Sequence, residues 1–292
     1  MKRLKARTGC AEMVVYRPEI LEDALGFLAE APATVLAGGT DVFPALGDRP
    51  VPGRVLDVTA IAGLKGITRD DGRWRIGAGV TWAELIRADL PAMFDGLKMA
   101  GRQVGSVQIQ NTATMAGNIC NASPAADGVP VLLTLDASVE LASDNGRREV
   151  PLADFVTGVR KTDLRAGEVV TALLVPDVAG DVRSGFGKLG SRAYLVISIV
   201  SLAGLVRFDA GRVAEARLAA GAASPVPMRL TALEGDLIGL GPDEMAGAVR
   251  ADHFTALTPI DDVRAGADYR RDACHTLAIR LLDACGTAGG RS

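Results

Sequence analysis

The chain has 292 residues, with 32 Lys+Arg against 35 Asp+Glu and a formal net charge of −3. At 48% hydrophobic and 23% charged it has the composition of a folded protein of roughly two domains, which excludes a disordered or fibrous chain. There is no cationic surplus to meet phosphates, and with 7 Phe, 3 Tyr and 2 Trp there is no stock of base-stacking platforms, so no nucleic-acid partner is expected.

In chain order, Arg17 to Leu28 reads as a helix with Pro18 in its first turn and Leu21, Ala24, Leu25 and Leu28 on one face. Ala33 to Ala37 reads as a short buried strand running into Gly38-Gly39-Thr40-Asp41. Strand-like alternation follows at Arg54–Val58 and Arg73–Thr81. Thr81 and Glu84 form a capping box for a helix from Trp82 to Ala88. An apolar helix is expected from about Asp127 to Leu135. Ser138–Ser143 and Arg147–Pro151 flank Asp144-Asn145-Gly146, a hairpin turn that needs positive φ. Val169–Val175 is a strand stopped by Pro176, and the charged, Gly-containing stretch Asp177–Ser184 is the expected domain boundary. Ile197–Phe208 and Val213–Gly221 read as two strands around a turn. Helices are expected over Arg229–Leu240, Asp243–Ala251 and Asp268–Cys285, the last with Ala273, Leu277, Leu281 and Ala284 inward and Arg270, Arg271 and Arg280 mostly off that face. Helices mixed with largely antiparallel strands make the fold class α+β.

The histidines, His253 and His275, and the cysteines, Cys10, Cys120, Cys274 and Cys285, form no metal-ligand spacing and no ferredoxin-like run. The cysteines read as reduced, packed thiols, no bound metal is expected, and a Ser-His-Asp triad is poorly supported. The basic start, Met1 to Arg7, leads into Thr8-Gly-Cys-Ala-Glu rather than an apolar core, so no signal peptide is expected. Asn121-Ala-Ser123 is then a chance match to the glycosylation sequon. The apolar run Val196–Val206 is too short to span a bilayer, and a cytoplasmic location is expected.

Two segments carry chemistry. In Val35-Leu36-Ala37-Gly38-Gly39-Thr40-Asp41-Val42 the glycines let a ligand approach the main chain. The exposed N–H groups and the Thr40 hydroxyl can then donate to phosphate oxygens without a lysine or arginine. Asp41 is placed to cap the following turn, and a plain strand–turn explains the same residues. The stretch is not Gly-x-Gly-x-x-Gly, so the nicotinamide fingerprint is absent. The second segment, Thr114-Met115-Ala116-Gly117-Asn118 through Ser123 to Asp127, is again rich in small residues. It admits close approach by something planar or phosphate-bearing, or tight helix–strand packing. Asp127 is either an acceptor for sugar-like hydroxyls or an N-cap.

Together, in order and spacing, the two segments resemble the paired FAD-binding loops of the flavoprotein (medium) subunit of molybdenum hydroxylases, the xanthine dehydrogenase and carbon monoxide dehydrogenase type. Ala37-Gly-Gly-Thr-Asp-Val42 is similar to the family's first loop, and Gln108 to Asp127 to its second, with Gln110 in place of an arginine and Ala116 in place of a glycine. Leu56–Ile67, Phe186-Gly-Lys-Leu-Gly-Ser-Arg-Ala and Tyr269-Arg-Arg resemble further family segments, so the likeness covers about Met13 to Cys285.

The resemblance implies a PCMH-like two-part FAD-binding domain over residues 1–177, with subdomains of about 1–60 and 61–177, and a smaller C-terminal domain over 178–292. It implies non-covalent FAD, its pyrophosphate clamped by the backbone of Val35–Val42 and Thr114–Asn118. Ser123 would belong to the same site, with Asp127 on the cofactor's polyol or sugar hydroxyls. An apolar Val170 would lie by the flavin region and Lys188 near the isoalloxazine, where a cation stabilises reduced flavin. No residue of this chain is assigned a catalytic role. The molybdenum cofactor and [2Fe-2S] clusters would sit on a large and a small partner subunit, in a dimer of heterotrimers delivering electrons to NAD or another acceptor. The rival reading is a stand-alone FAD oxidoreductase acting on its own small substrate, for which Asp127 and Lys188 are the acid–base candidates.

Overall fold

A computed structural model describes residues 4–6, 13–49 and 53–287. Cys10 and the first three residues, on which part of the expectation about the amino terminus rests, lie outside the described residues. The fold is α+β, as expected, with four sheets among the described residues. The first contains β1 (Leu4–Ala6), β2 (Met13–Tyr16), β3 (Thr34–Leu36) and β4 (Arg54–Asp57) in the order β1-β2-β4-β3. Strand β4 runs parallel to both β2 and β3. Between β2 and β3 lies helix α1 (Leu21–Glu30), which starts three residues after Pro18 and buries Ala24, Phe27 and Leu28. Pro18 therefore precedes the helix rather than sitting in its first turn.

The second sheet is antiparallel, in the order β5 (Ile67–Asp70), β6 (Arg73–Gly77), β11 (Val169–Pro176), β7 (Ser138–Ser143) and β8 (Gly146–Pro151). Strand β11 is central, and its seven residues from Val169 to Val175 are all buried, which is why the sequence there is apolar but for Thr171, whose hydroxyl donates to Glu140 Oε1. The β7–β8 hairpin turns at Asp144-Asn145, and Gly146 takes the positive φ, at 122°. Helix α2 (Val42–Leu46) follows β3. Helices α3 (Trp82–Arg87), α4 (Asp95–Arg102), α5 (Val107–Gln110), α6 (Met115–Cys120) and α7 (Gly128–Thr134) fill the connection between β6 and β7. The capping box at α3 is present in full: the Thr81 hydroxyl accepts from the Glu84 N–H, and the Glu84 carboxylate accepts from the Thr81 N–H at 2.7 Å. Helix α8 (Leu152–Phe155) and a small hairpin of β9 (Val156–Gly158) and β10 (Lys161–Thr162) lead to β11.

The third large sheet is antiparallel: β12 (Asp181–Leu189), β13 (Val200–Asp209), β14 (Arg212–Gly221) and the short β15 (Met228–Arg229). Strand β12 takes up half of the stretch expected as a linker, leaving Asp177–Gly180 as the connection. Helices α9 (Thr231–Leu237) and α10 (Ala267–Thr287) cover this sheet. The expected helix at Asp243–Ala251 is instead a run of turns with short 3-10 pieces at Ala246–Ala248 and Ala251–Phe254. Within that span Gly247 interrupts the helix-forming residues, and only these short pieces form. Helix α10 is also rotated from the expected face: Arg270, Ala273, Cys274, Ala278, Leu281, Leu282 and Cys285 are buried, whereas Ala284 is exposed. Its phase is set by contact with β12, β13 and the two 3-10 turns, not by the strongest apolar stripe.

The hydrophobic core of the first two sheets continues into the third through Phe186, Ala203, Leu205 and Ala219. A second core lies between that sheet, α9 and α10.

Candidate functional site

Strand β3 is the edge of its sheet, and Val35 and Leu36 are only half-buried. The expected buried strand is thus an edge strand with a partly open face. Beyond it Gly39 takes φ of +70°, a conformation glycine adopts without the Cβ clash, and turns the chain into α2. The N–H groups of Gly38, Gly39, Thr40 and Asp41 have no hydrogen-bond acceptor among the described residues. The Thr40 hydroxyl is likewise without a partner there. Asp41 sits at the N-cap position of α2, but its side chain caps nothing, so the expected capping role is not seen. Val42 opens the helix.

The second loop is built on capping chemistry. The Thr114 hydroxyl accepts from the Gly117 N–H at 3.0 Å, and Thr114 O accepts from the Asn118 N–H, which starts α6 over Met115-Ala116-Gly117-Asn118. Met115 and Ala116 are buried, so they reach a ligand only through their backbone. The Asn118 Oδ1 is buried and unpartnered, an acceptor awaiting a donor. Further on, Ser123 begins a turn in which its hydroxyl accepts from the Ala125 N–H.

The tertiary structure brings the two loops together. A Cβ built on Gly38 would lie 2.0 Å from Thr112 O, so only glycine permits the first loop to rest on the main chain just before Thr114. Free N–H donors, an open β3 face, a backbone contact that a methyl would fill and an orphaned amide-oxygen acceptor form a site suited to a phosphate-bearing, hydroxyl-rich group. The residues present fit FAD on these grounds.

Asp127 and Lys188 meet in the fold, 61 positions apart in sequence. Lys188 Nζ donates to Asp127 Oδ2 at 2.6 Å, and both side chains are only 6% exposed, so Lys188 is far from a solvated surface lysine. Ser198, in the segment between β12 and β13, donates its hydroxyl to Asp127 Oδ1. Burial pushes the Asp127 carboxyl above its ordinary value, while the Lys188 charge and the hydrogen bonds from Lys188 and Ser198 pull it back. Asp127 precedes α7 without capping it through its side chain, which leaves the carboxylate to this clasp.

Val170 lies in β11 beside Leu141 and is buried within the core, so little of its side chain is free for a ligand. Gln110 donates to the carbonyls of Arg102 and Val104, tying α5 to the end of α4. Cys120 is exposed, unlike Cys274 and Cys285, so the reading of packed thiols holds for only those two of the described cysteines. Two clefts lie to the sides of the loops. One, of about 420 Å³, runs between β12 and α10 with Lys188 at its edge. The other, of about 530 Å³, lies between the end of α1 and the loop around Gly167, and touches Val35.

Two residues of the site, Ser198 and Thr112, do not stand out in the sequence. The signal for Ser198 was a hydroxyl set inside an apolar run, Val196-Ile-Ser-Ile-Val200. Thr112 acts through its carbonyl, which no side-chain pattern reports. Among the described residues no group of three or more His, Cys, Asp or Glu is placed to hold a metal, and no helix is long and apolar enough to cross a membrane.

Two family models match successive stretches of the chain. Residues 9–178 match the family described as the FAD binding domain in molybdopterin dehydrogenase, and residues 187–285 match the CO dehydrogenase flavoprotein C-terminal domain. The chain is 33% identical to the xanthine dehydrogenase FAD-binding subunit of Escherichia coli O157:H7 over 94% of this chain and 97% of that one. It is also 33% identical to the nicotinate dehydrogenase FAD-subunit of Eubacterium barkeri, over 77% and 79%. In structure it is similar to a chain of carbon monoxide dehydrogenase from Hydrogenophaga pseudoflava, with a TM-score of 0.86 at 27% identity, covering 93% of this chain and 96% of that chain.

Proposed function

The chain belongs to the FAD-binding flavoprotein subunits of the molybdenum hydroxylases, and from that premise we propose how its own residues serve the role. It is the FAD-binding electron-transfer subunit of a multi-subunit oxidoreductase, and molybdenum cofactor and iron–sulfur clusters belong to partner subunits. When bound, FAD supplies one- and two-electron redox chemistry.

In our reading, the N–H groups from Gly38 to Asp41, with the Thr40 hydroxyl, bind the pyrophosphate from one side. The backbone of Thr114 to Asn118 closes on it from the other. Val35, Leu36 and Ala37 offer the open face of the edge strand, and Val42 anchors the far end of the first loop. Ser123 and Asp127 orient hydroxyls of the cofactor, with Asp127 held in place by Lys188 and Ser198. Val170 supports the flavin region from within the core, and Lys188 brings its positive charge to the isoalloxazine side. The observation that carries this reading is the contact of Gly38 with Thr112 O, which joins the first loop, with its unpaired backbone donors, to the second in one cradle. The sheet memberships support a division at about residues 60 and 177. Asp127 and Lys188, the acid–base candidates of a self-contained oxidoreductase, are paired with each other, which favours the subunit role.

The finer proposal is a hetero-oligomer, a dimer of heterotrimers with a small [2Fe-2S] subunit and a large molybdenum subunit, in the cytoplasm, passing electrons to NAD or another acceptor. The test is purification of the full chain followed by FAD titration, then co-expression with the chains encoded beside it. Yellow protein with one FAD per chain, co-purifying with iron and molybdenum, is the expected result. Colourless protein that takes up no added FAD would refute the site. Turnover of a small substrate by the chain alone would refute the subunit role.

A further inference from the structure

Arg270, in the first turns of α10, has a side chain only 3% exposed. Its Nη1 donates to the carbonyls of Ile199 and Ala222, and Nη2 donates to Asp262 Oδ1 at 2.7 Å. The Nε is buried without a partner. Each of the two carbonyls belongs to a segment that grips the second loop. Ile199 adjoins Ser198, whose hydroxyl holds Asp127. Ala222, at φ of +58°, donates its N–H to Pro124 O at 2.9 Å. The Ile199 N–H in turn donates to Leu189 O, next to Lys188. One guanidinium is therefore linked, through two carbonyls and the backbone bonds beside them, to the segments that carry Lys188, Ser198 and Pro124.

Burying a guanidinium in this way is a poor means of gaining stability, since an apolar side chain of similar volume serves as well or better. What the planar fork supplies is geometry: it fixes two carbonyls relative to each other, one of them on an alanine held in the left-handed region. We infer that Arg270 is a positioning residue for the cofactor site, setting Asp127 and Pro124 through the segments at Ile199 and Ala222. The inference rests on the reading that Ser123–Asp127 belong to the FAD site.

The test compares the full-length chain with Arg270→Lys, which keeps the charge but loses the fork, and with Leu237→Ala as a stability control. Leu237 is fully buried in α9, in the C-terminal core. FAD is titrated well below the melting temperature of each protein, reading the quench of flavin fluorescence and the visible circular dichroism of bound flavin. The expected result is a dissociation constant about tenfold higher for Arg270→Lys, the size of one lost charge-assisted hydrogen bond, with an altered dichroism band. Leu237→Ala keeps the wild-type constant and band despite its lower melting temperature. Wild-type binding and dichroism in Arg270→Lys would overturn the inference, as would an equal change in Leu237→Ala. If Arg270→Lys does not fold, Asp262→Ala replaces it, removing the carboxylate that holds Nη2. Its expected effect is a constant about threefold higher, and an unchanged constant and band overturn the inference. Failure of the wild-type chain to bind FAD would instead overturn the reading of the site, and the inference with it.

Discussion

Replacing Lys188 with methionine removes the ammonium group 2.6 Å from Asp127 while keeping a side chain of similar length. Both members of the pair are 6% exposed, so water does not replace the lost partner, and the carboxylate is left buried with Ser198 as its remaining side-chain donor. Breaking a buried pair from one side costs about 3–5 kcal/mol, a large share of the roughly 5–15 kcal/mol that stabilises a domain. The pH dependence fixes the cause. Burial already raises the Asp127 carboxyl, and without Lys188 the main opposing influence is gone, so the carboxyl rises further. A group raised in the folded state contributes stability that is present below its unfolded value and lost as pH rises through the folded one. The deficit of Lys188→Met relative to wild type is therefore largest at about pH 8 and shrinks toward about pH 5, as Asp127 takes up a proton. Urea denaturation at both pH values measures it. Adding Asp127→Asn to the variant, which removes the stranded charge, restores most of the loss at about pH 8. A deficit under about 1 kcal/mol at the higher pH, or one that grows on acidification, would refute a buried, charged pair.

Glycine substitutions separate the cradle from the scaffold. Gly38→Ala drives a methyl into the Thr112 carbonyl, backbone against backbone, and is expected to weaken FAD binding more than about tenfold in a titration. Gly26→Ala, at an exposed position of α1 with nothing within 4 Å of the new methyl, is expected to raise stability by about 0.5–1 kcal/mol in denaturant melts and leave FAD binding alone. Thr81→Ala removes one half of the α3 capping box, and denaturant melts are expected to show a loss of about 1 kcal/mol. The hydrogen bonds from Arg148 to Glu168 hold that carboxyl below its ordinary range, so its contribution is present at neutral pH and lost as pH falls through the folded value. Glu168→Gln is accordingly less stable than wild type at neutral pH and converges with it in an acid titration followed by circular dichroism.

The features legible in the sequence were local ones. Thr81 and Glu84 lie three residues apart, and a capping box needs nothing further away. The β7–β8 hairpin and the apolar β11 were written in adjacent residues, and Gly38-Gly39 marked the first loop because only glycine suits that backbone. Pattern failed where the partner surface decides. The face of α10 was misjudged by the placing of Ala284 inward and Arg270 outward, because the helix turns toward β12 and β13, and a buried arginine is invisible to a hydrophobic count. The expected buried strand at β3 proved to be a half-open edge, since strand order within a sheet is not encoded in the strand itself.

By itself, then, the sequence determined the two glycine- and small-residue-rich loops, the α+β class and the division of labour in which this chain carries FAD and its partners carry the metals. The loops and the class follow from backbone freedom, short-range capping and composition, each acting within a few residues, whereas the division of labour followed from the resemblance of the two loops to those of the molybdenum hydroxylase flavoprotein subunits. Only the tertiary structure decided that Gly38 rests on Thr112, that Lys188 and Ser198 close on Asp127, and that Arg270 is linked to the segments that carry them. Those contacts join residues many tens of positions apart. Their strength comes from the exclusion of water, and that exists only once the sheets and helices have packed.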